Sequence, residues 1–358
     1  MNFPAKGAFA FLFVIIFFTC CSSTNRKDDN NKPLKSYAHF IFGKKSVYSD
    51  PLEIQSVACY GGNLICLLGD RNYQKQKLVV LDSSYHHLYG VEEKLNEMPF
   101  EYLFSARDTV FLISGHKFYY LSPGFVLKRS HSLNQTRATL LEDSSYSIYG
   151  GCAGEFGGSI FFQDKKKLYS YPATCPTQVL KNKNTYLICN NLRHMNGTVG
   201  FIQIADPTKL YLLPDIKPIL QNWWVRVDSI YKNYNNIHLP GVSEYFDTSG
   251  IISLLTFTNK DEIYSILNVK SKYMIAIHDN KRLIIIDSIS INNNKRSHLD
   301  RFLVSHMGDK FVCGYNYMCY DSLPPKGTLQ HPTSTQSGLI VVEGDKILFL
   351  DFEDLKNK

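Results

Sequence analysis

Tryptophan is nearly missing from this sequence: two copies in 358 residues, side by side at Trp223 and Trp224. WD-type repeats, which place a Trp-Asp pair in each unit, are excluded by that scarcity. Kelch double-glycine spacing and the sialidase-type SxDxGxxW box are also lacking. So are HExxH, GxSxG, GxxxxGK[ST] and the EF-hand loop, which removes four familiar routes to catalysis or ion binding. No cysteine pair has CxxC spacing and no histidine joins the cysteines at zinc-finger spacing, so no metal site is expected. No cofactor is expected either. Beyond the first twenty residues the apolar runs are short and broken by charges.

The one long apolar run is Ala8–Phe18, AFAFLFVIIFF, preceded by Lys6. Its roughly eleven residues fall short of the about 20 needed to span a bilayer. They fit the apolar core of a secretory signal, about 7–15 residues. The composition then flips to SSTNRKDDNNKP, with no apolar residue until Leu34. Such a stretch buries too little surface to order itself and reads as a tether. The sequence therefore divides into a lipoprotein-type signal peptide (1–20), a polar tether (21–35) and a folded domain (36–358). Cys20 and Cys21 are the candidates for lipidation. Plain secretion and an uncleaved short anchor are the rival readings.

Formal net charge is +7, with clusters such as KKK at 165–167 and NNNKR at 292–296 where turns are expected. A mild, scattered excess on turns does not make a nucleic-acid surface, so no nucleic acid is expected as partner. Seven cysteines lie outside the anchor pair, at 59, 66, 152, 175, 189, 313 and 319. The number is odd, so at least one stays unpaired within the chain. In CYGGNLIC a Gly62-Asn63 turn would set Cys59 opposite Cys66. In CGYNYMC a loop centred on Asn316 would set Cys313 opposite Cys319. Both pairs are candidate disulfides, because cross-strand neighbours approach closely enough. The competing reading makes them small buried hydrophobes.

What the sequence has in abundance is a recurring hairpin. A short apolar strand and a polar turn are followed by a Lys or Arg and a second strand: NLICLLGD with KLVVLDS, TVFLISGH with KFYYLSP, SIFFQDK with KLYSYPA, TVGFIQIADPT with KLYLLPD, YMIAIHDN with RLIIIDS, DKFVCGYN with YMCYDS, and LIVVEGD with KILFLDF. IISLLTFTNK with DEIYSIL is a weaker eighth. The leading cation reads as an exposed charge beside the turn. Second strands begin at 77, 117, 167 and 209, steps of 40, 50 and 42. Units of about 40–50 residues with several short strands each are the signature of a β-propeller. The expected fold is all-β: a single β-propeller of about seven four-stranded blades, with six or eight also fitting. IQSVACY (54–60) and PILQNWWVRV (218–227) supply further strands. EEKLNEMPFEYLF (92–104) is the best helical candidate, interrupted by Pro99. SYAHFIF (36–42) is the natural strand to close the ring against the C-terminal hairpin.

The FFTCC junction, the polar tether and the repeated hairpins together resemble β-propeller lipoproteins of Bacteroidetes-type bacteria, some described as TolB-like. That resemblance implies a periplasmic or cell-surface binding or assembly role in a bacterial envelope. It carries over no functional residue.

The remaining features are individually bland. GGCAGEFGG (150–158) looks like a phosphate cradle, but strand-like SIFFQD follows it, and a turn is expected. His86 and His87 are adjacent, so on a strand they would face opposite ways. His194, His278 and His306 each fall at or near a hairpin. Trp223 and Trp224 are the candidate surface-binding residues, since one ring on a strand would face outward. Glu142-Asp143 and Asp261-Glu262 read as turns, and acid–base pairs need about 5–9 Å between carboxylates. NQT (134–136) and NGT (196–198) match a glycosylation pattern that in such a protein is expected to arise by chance. No catalytic residue is assigned. The expected function is non-enzymatic: a membrane-anchored propeller binding an envelope protein or glycan. An envelope glycan hydrolase or lyase working in the central funnel is the alternative, as is a small-ligand sensor.

Overall fold

The computed structural model describes residues 39–49, 52–70, 75–106, 109–115, 117–130, 139–152, 157–192, 197–213, 239–269, 272–289, 297–307, 310–319 and 334–354. The expected signal and tether, with Cys20 and Cys21, lie outside these residues. So do the strand expected at 218–227, with Trp223 and Trp224, and His194.

Six sheets form a single six-bladed β-propeller. The first strand, β1 (Ile41–Ser49), belongs to the last blade. Blade one holds β2 (Glu53–Tyr60), β3 (Asn63–Gly69) and β4 (Gln76–Leu81), flanked by α1 (Tyr89–Leu95). Blade two is β5 (Tyr102–Ala106), β6 (Thr109–Ser114), β7 (Lys117–Ser122) and β8 (Val126–Ser130). Blade three runs β9 (Leu141–Glu142), β10 (Ser147–Cys152), β11 (Gly158–Gln163) and β12 (Leu168–Ala173). Blade four takes β13 (Pro176–Asn182), β14 (Thr185–Leu192) and β15 (Thr198–Ile204). The chain then returns to blade three through β16 (Tyr211–Leu213), beside β12, before completing blade four with β17 (Val242–Ser249). Blade five is β18 (Ile251–Asn259), β19 (Glu262–Val269), β20 (Lys272–Asp279) and β21 (Arg282–Ile289). Blade six is β22 (Ser297–Met307), β23 (Lys310–Cys319), β24 (Ser334–Glu343) and β25 (Lys346–Asp354).

The ring closes against the C-terminal hairpin, but the closing strand is Ile41–Ser49, sharing only Ile41 and Phe42 with the expected 36–42: β1 lies parallel to β25 from Ile41 opposite Lys346 to Ser49 opposite Asp354. Phe40 anchors the entry to β1, set edge-on against Phe257 at 5.6 Å and Tyr264 at 5.1 Å on blade five. Between blades lie apolar cores. Ile148, Ile160 and Phe162 of blade three pack with Val179, Ile188 and Ile202 of blade four. Val341 and Leu350 of blade six meet Ile54 and Leu64 of blade one. Burying each such side chain contributes about 1.5–3 kcal/mol, and no single blade could do it alone.

Six blades rather than seven arise because one expected unit has no blade of its own. Lys310–Cys319 is one uninterrupted strand, so DKFVCGYN and YMCYDS belong together and share a blade with the C-terminal hairpin. Thr198–Ile204 and Tyr211–Leu213 do not pair with each other and belong to blades four and three. The weaker eighth hairpin does form, but in the same blade as YMIAIHDN and RLIIIDS. The helix stops at Leu95, and residues after Pro99 enter β5.

The expected disulfides are corrected by register. The turn is Gly61-Gly62, both at positive φ (55° and 83°), which glycine adopts at little cost. It sets Cys59 opposite Leu64 and Cys66 opposite Val57. Cys59 and Cys66 are diagonal neighbours, about 7–8 Å apart in such a ladder, and both are free thiols. Cys313 faces Val304 and Ile340, and Cys319 lies six residues further along the same strand, about 20 Å away. The bridge that forms is Cys152–Cys175, Cα atoms 4.6 Å apart.

Candidate functional site

The first strands of the blades pack near the centre, with β2 against β5 and β22, and β13 against β18. Four of these first strands carry a bulge: at Ile54/Ser56 in β2, Pro176/Gln178 in β13, Ser253/Leu255 in β18 and Leu299/Arg301 in β22. A bulge bends a strand and leaves backbone groups out of the ladder. Buried backbone groups need partners, and side-chain amides supply them.

Asn316 of blade six clamps Ile54 of blade one. The Ile54 N–H donates to Asn316 Oδ1 (2.9 Å), and Asn316 Nδ2 donates to the Ile54 carbonyl (2.8 Å). Ser337 Oγ donates to Asn316 Oδ1 at 2.6 Å and holds it in place. Gln178 of blade four does the same to Thr256 of blade five: the Thr256 N–H donates to Gln178 Oε1 (2.9 Å), and Gln178 Nε2 donates to the Thr256 carbonyl. Asn191 accepts from the Ser253 N–H at 2.9 Å beside the bulge. A third clamp works within blade one, where Asn96 takes the Leu78 N–H (2.7 Å) and donates to the Leu78 carbonyl (2.8 Å).

From the Gln178 clamp a polar chain runs outward. Ser253 Oγ meets Thr256 Oγ1 at 3.1 Å, and Thr256 Oγ1 meets Ser265 Oγ at 2.9 Å. Ser265 Oγ then reaches His278 Nε2 at 2.8 Å, and His278 Nδ1 meets the Tyr245 hydroxyl at 2.9 Å. Phe201 stands edge-on to the imidazole, centroids 4.6 Å apart. Burial pushes His278 down to about 3 and pushes the Tyr245 phenol up. A Ser–His pair at this distance has the geometry of an activated nucleophile. Here Ser265 is fully buried, and both imidazole nitrogens are engaged. Among the described residues no carboxylate bonds the ring, and the neutral imidazole is a joint between Tyr245 of blade four and Ser265 of blade five.

The other ionisable groups are placed similarly. Asp143 of blade three accepts from Lys181 Nζ and the Tyr186 hydroxyl of blade four, both at 2.6 Å. Burial would raise its pKa, but those donors with the Ser145 and Tyr146 N–H groups outweigh it and hold the carboxyl at about 2. Asp345 of blade six takes Asn259 Nδ2 (2.6 Å) and Lys260 (3.2 Å) of blade five. Asp351 accepts from the Tyr315 hydroxyl (2.7 Å) and pairs with Lys44 (2.7 Å). Tyr85, at φ 65°, lies between Lys45 and Lys310 of blade six, 5.9 and 5.5 Å from its ring centre.

Several sequence candidates resolve into structure. His87 Nδ1 meets Glu92 Oε1 at 2.8 Å, and Glu92 also accepts the Val80 N–H. His86 is exposed beside Asp82. These two histidines do not converge. Gly150 and Gly151 lie within β10, and Gly157 at φ 88° enters β11, so GGCAGEFGG joins the arms of a hairpin. Lys165–Lys167 form its companion turn, with Asp164 accepting the N–H groups of Lys166 and Lys167. The cations that open the second strands at Lys117, Lys167, Arg282 and Lys346 are exposed. No group of three or more His, Cys, Asp or Glu poised to hold a metal occurs among the described residues. The clamps and the Cys152–Cys175 bridge escape sequence reasoning. The one signal for the clamps is polar residues at positions where the strand pattern calls for apolar ones.

No protein-family model matches the chain. No curated protein matches it either. Among solved structures it is similar to a streptogramin B lyase, at 13% identity over 84% of this chain and 93% of that one, TM-score 0.33. A virginiamycin B lyase from Staphylococcus aureus gives 10% identity over 82% and 92%, TM-score 0.32. PorZ, a surface component of the type-IX secretion system of Porphyromonas gingivalis, gives 9% identity over 85% and 46%, TM-score 0.31. Likenesses this remote carry nothing about activity.

Proposed function

We propose that this protein is an exported, membrane-anchored binding module whose propeller presents its outer surface to a protein partner or glycan of a bacterial envelope. One observation carries the reading: the side chains best suited to chemistry hold strand to strand or blade to blade. His278, Ser265, Gln178, Asn316, Asp143 and Asp351 all bridge strands or blades. What such a ring offers outward is a rigid platform bearing loops, and loops on a rigid scaffold are where recognition resides. The Cys152–Cys175 bridge supports export, since disulfides persist in oxidising compartments. Cys20 or Cys21 would carry the lipid that keeps the module at the membrane, where more than one acyl chain makes the anchor stable.

The test is a tagged pull-down from detergent-solubilised membranes of the native cell, beside a Cys20→Ala, Cys21→Ala double variant. The expected result is a second protein recovered in stoichiometric amount with the wild type and lost with the variant. Recovery of the bait without any partner, followed by a blank glycan array, would overturn the proposal.

A further inference from the structure

The outer strands of the blades end in unpaired backbone edges, which invite association unless they are blunted. Most are blunted here. β8 exposes Lys128 and Arg129, β1 carries Lys44 and Lys45, and β17 exposes Glu244. β16 is three residues long. β4 is covered by the α1 region, which bonds Val80 through Glu92 and Leu78 through Asn96. Ile41 and Phe42 at the start of β1, Val126 at the start of β8 and Leu212 of β16 are exposed too, but β21 of blade five differs in setting four aliphatic residues in a row on an edge that the α1 region does not cover. It reads Arg282-Leu-Ile-Ile-Ile-Asp287, with Ile284 36% and Ile285 54% exposed. Among the described residues no strand lies on its outer side.

The strand is self-complementary. When an edge pairs with its own copy, the strands run antiparallel about a two-fold axis normal to the sheet. Residues directly opposite must then share a face, so they stand an even number of places apart. Arg282 and Asp287 are five apart and would miss each other in a regular strand. β21 holds one extra residue: Ala276 faces Ile285 and Ile275 faces Asp287, leaving Ile286 bulged. That insertion restores the match. A two-fold axis through Ile284 sets Ile284 opposite its own copy and Leu283 opposite Ile285. It also sets Arg282 opposite Asp287 twice over. Both side chains are exposed, so each copy offers the other a cation and a carboxylate at the ends of an aliphatic core. We infer that β21 is a homodimerisation edge, joining blade five of two copies into one continuous eight-stranded sheet. Antiparallel pairs of opposite charge and of β-branched residues stabilise such a ladder, and like charges directly opposite oppose it.

The experiment is sedimentation velocity on the full chain in detergent over a wide concentration range. Variants are Arg282→Asp, Asp287→Arg, their equimolar mixture and the double swap. The wild type is expected to reach a dimer. Each single variant sets like charges opposite each other at both ends and weakens association by about tenfold or more. The mixture recovers dimer as a heterodimer, because one copy carries two acids and the other two bases. The double swap recovers it as a homodimer. Ile284→Lys, at the axis, abolishes the dimer while leaving the far-ultraviolet circular dichroism unchanged. A wild type that stays monomeric at the highest concentration would overturn the inference. So would association indifferent to charge, or a mixture that fails to recover it.

Discussion

The side-chain amide of Asn316 occupies both backbone hydrogen-bonding groups of Ile54, a residue 262 positions earlier in the chain. It does so at the junction of blades six and one, where the ring is closed by β1 along β25. The closure therefore rests on a main-chain ladder at the rim and an amide clamp near the centre.

Asn316→Leu removes the clamp and leaves the Ile54 N–H and carbonyl buried without those partners. Each such group costs about 1–3 kcal/mol. A loss of about 3 kcal/mol is expected in urea unfolding. Gln178→Leu, on the seam between blades four and five, should cost a similar amount. Because the two seams share no partner, the losses should add. A stability unchanged by either substitution would contradict the clamp.

His278 makes stability depend on pH. Its folded pKa lies at about 3, against about 6.5 unfolded. Between those values the unfolded chain binds the extra proton and the folded chain does not. The contribution is fully present above about pH 6.5 and is lost as pH falls toward 3. Between pH 7 and pH 5 the expected loss is about 2 kcal/mol. His278→Gln, measured across the same range, should flatten that slope. An identical slope in the variant would show that the imidazole is not held neutral.

The Cys152–Cys175 bridge spans 23 residues. Closing a loop of that size stabilises a fold by about 3 kcal/mol. Cys152→Ser, Cys175→Ser should lower the unfolding midpoint accordingly, and mild reduction of the wild type should match it. Burial pushes the Cys59 thiol up to about 11 and Cys66 further still, so native alkylation should be slow at both. Rapid labelling of Cys66 would contradict its burial.

Gly338 lies directly beneath Tyr315, and a Cβ there would collide with the Tyr315 hydroxyl and the Leu350 carbonyl. Tyr315 cannot easily retreat, because its hydroxyl donates to Asp351, which also holds Lys44 of β1. Gly338→Ala should destabilise by about 1–3 kcal/mol, as overpacking does, and should weaken the ring closure. Limited proteolysis would detect this as earlier cleavage near β1.

Local physics made most of the fold legible. The hairpins at 63–81, 109–122, 158–173 and 334–354 follow from apolar runs broken by turn residues, and their periodicity points to a propeller. The errors share one cause. Asn316 resembles the centre of a turn, because asparagine favours turns. It is instead a buried strand residue whose polarity serves Ile54, far away in sequence. Gln178 hides for the same reason. Cys152 and Cys175 meet because β10 ends beside the entry to β13, with the β11–β12 hairpin between them, and no local spacing encodes that meeting. The return of Tyr211–Leu213 to blade three was equally out of reach, since a three-residue strand leaves little pattern.

The most direct test of the binding-module reading is cross-linking mass spectrometry on intact cells expressing the full chain. The expected result is a set of cross-links from surface lysines to one other envelope component, absent in the Cys20→Ala, Cys21→Ala variant. Cross-links confined to this chain and its own copies would contradict it, and would leave a self-associating propeller with no partner to present.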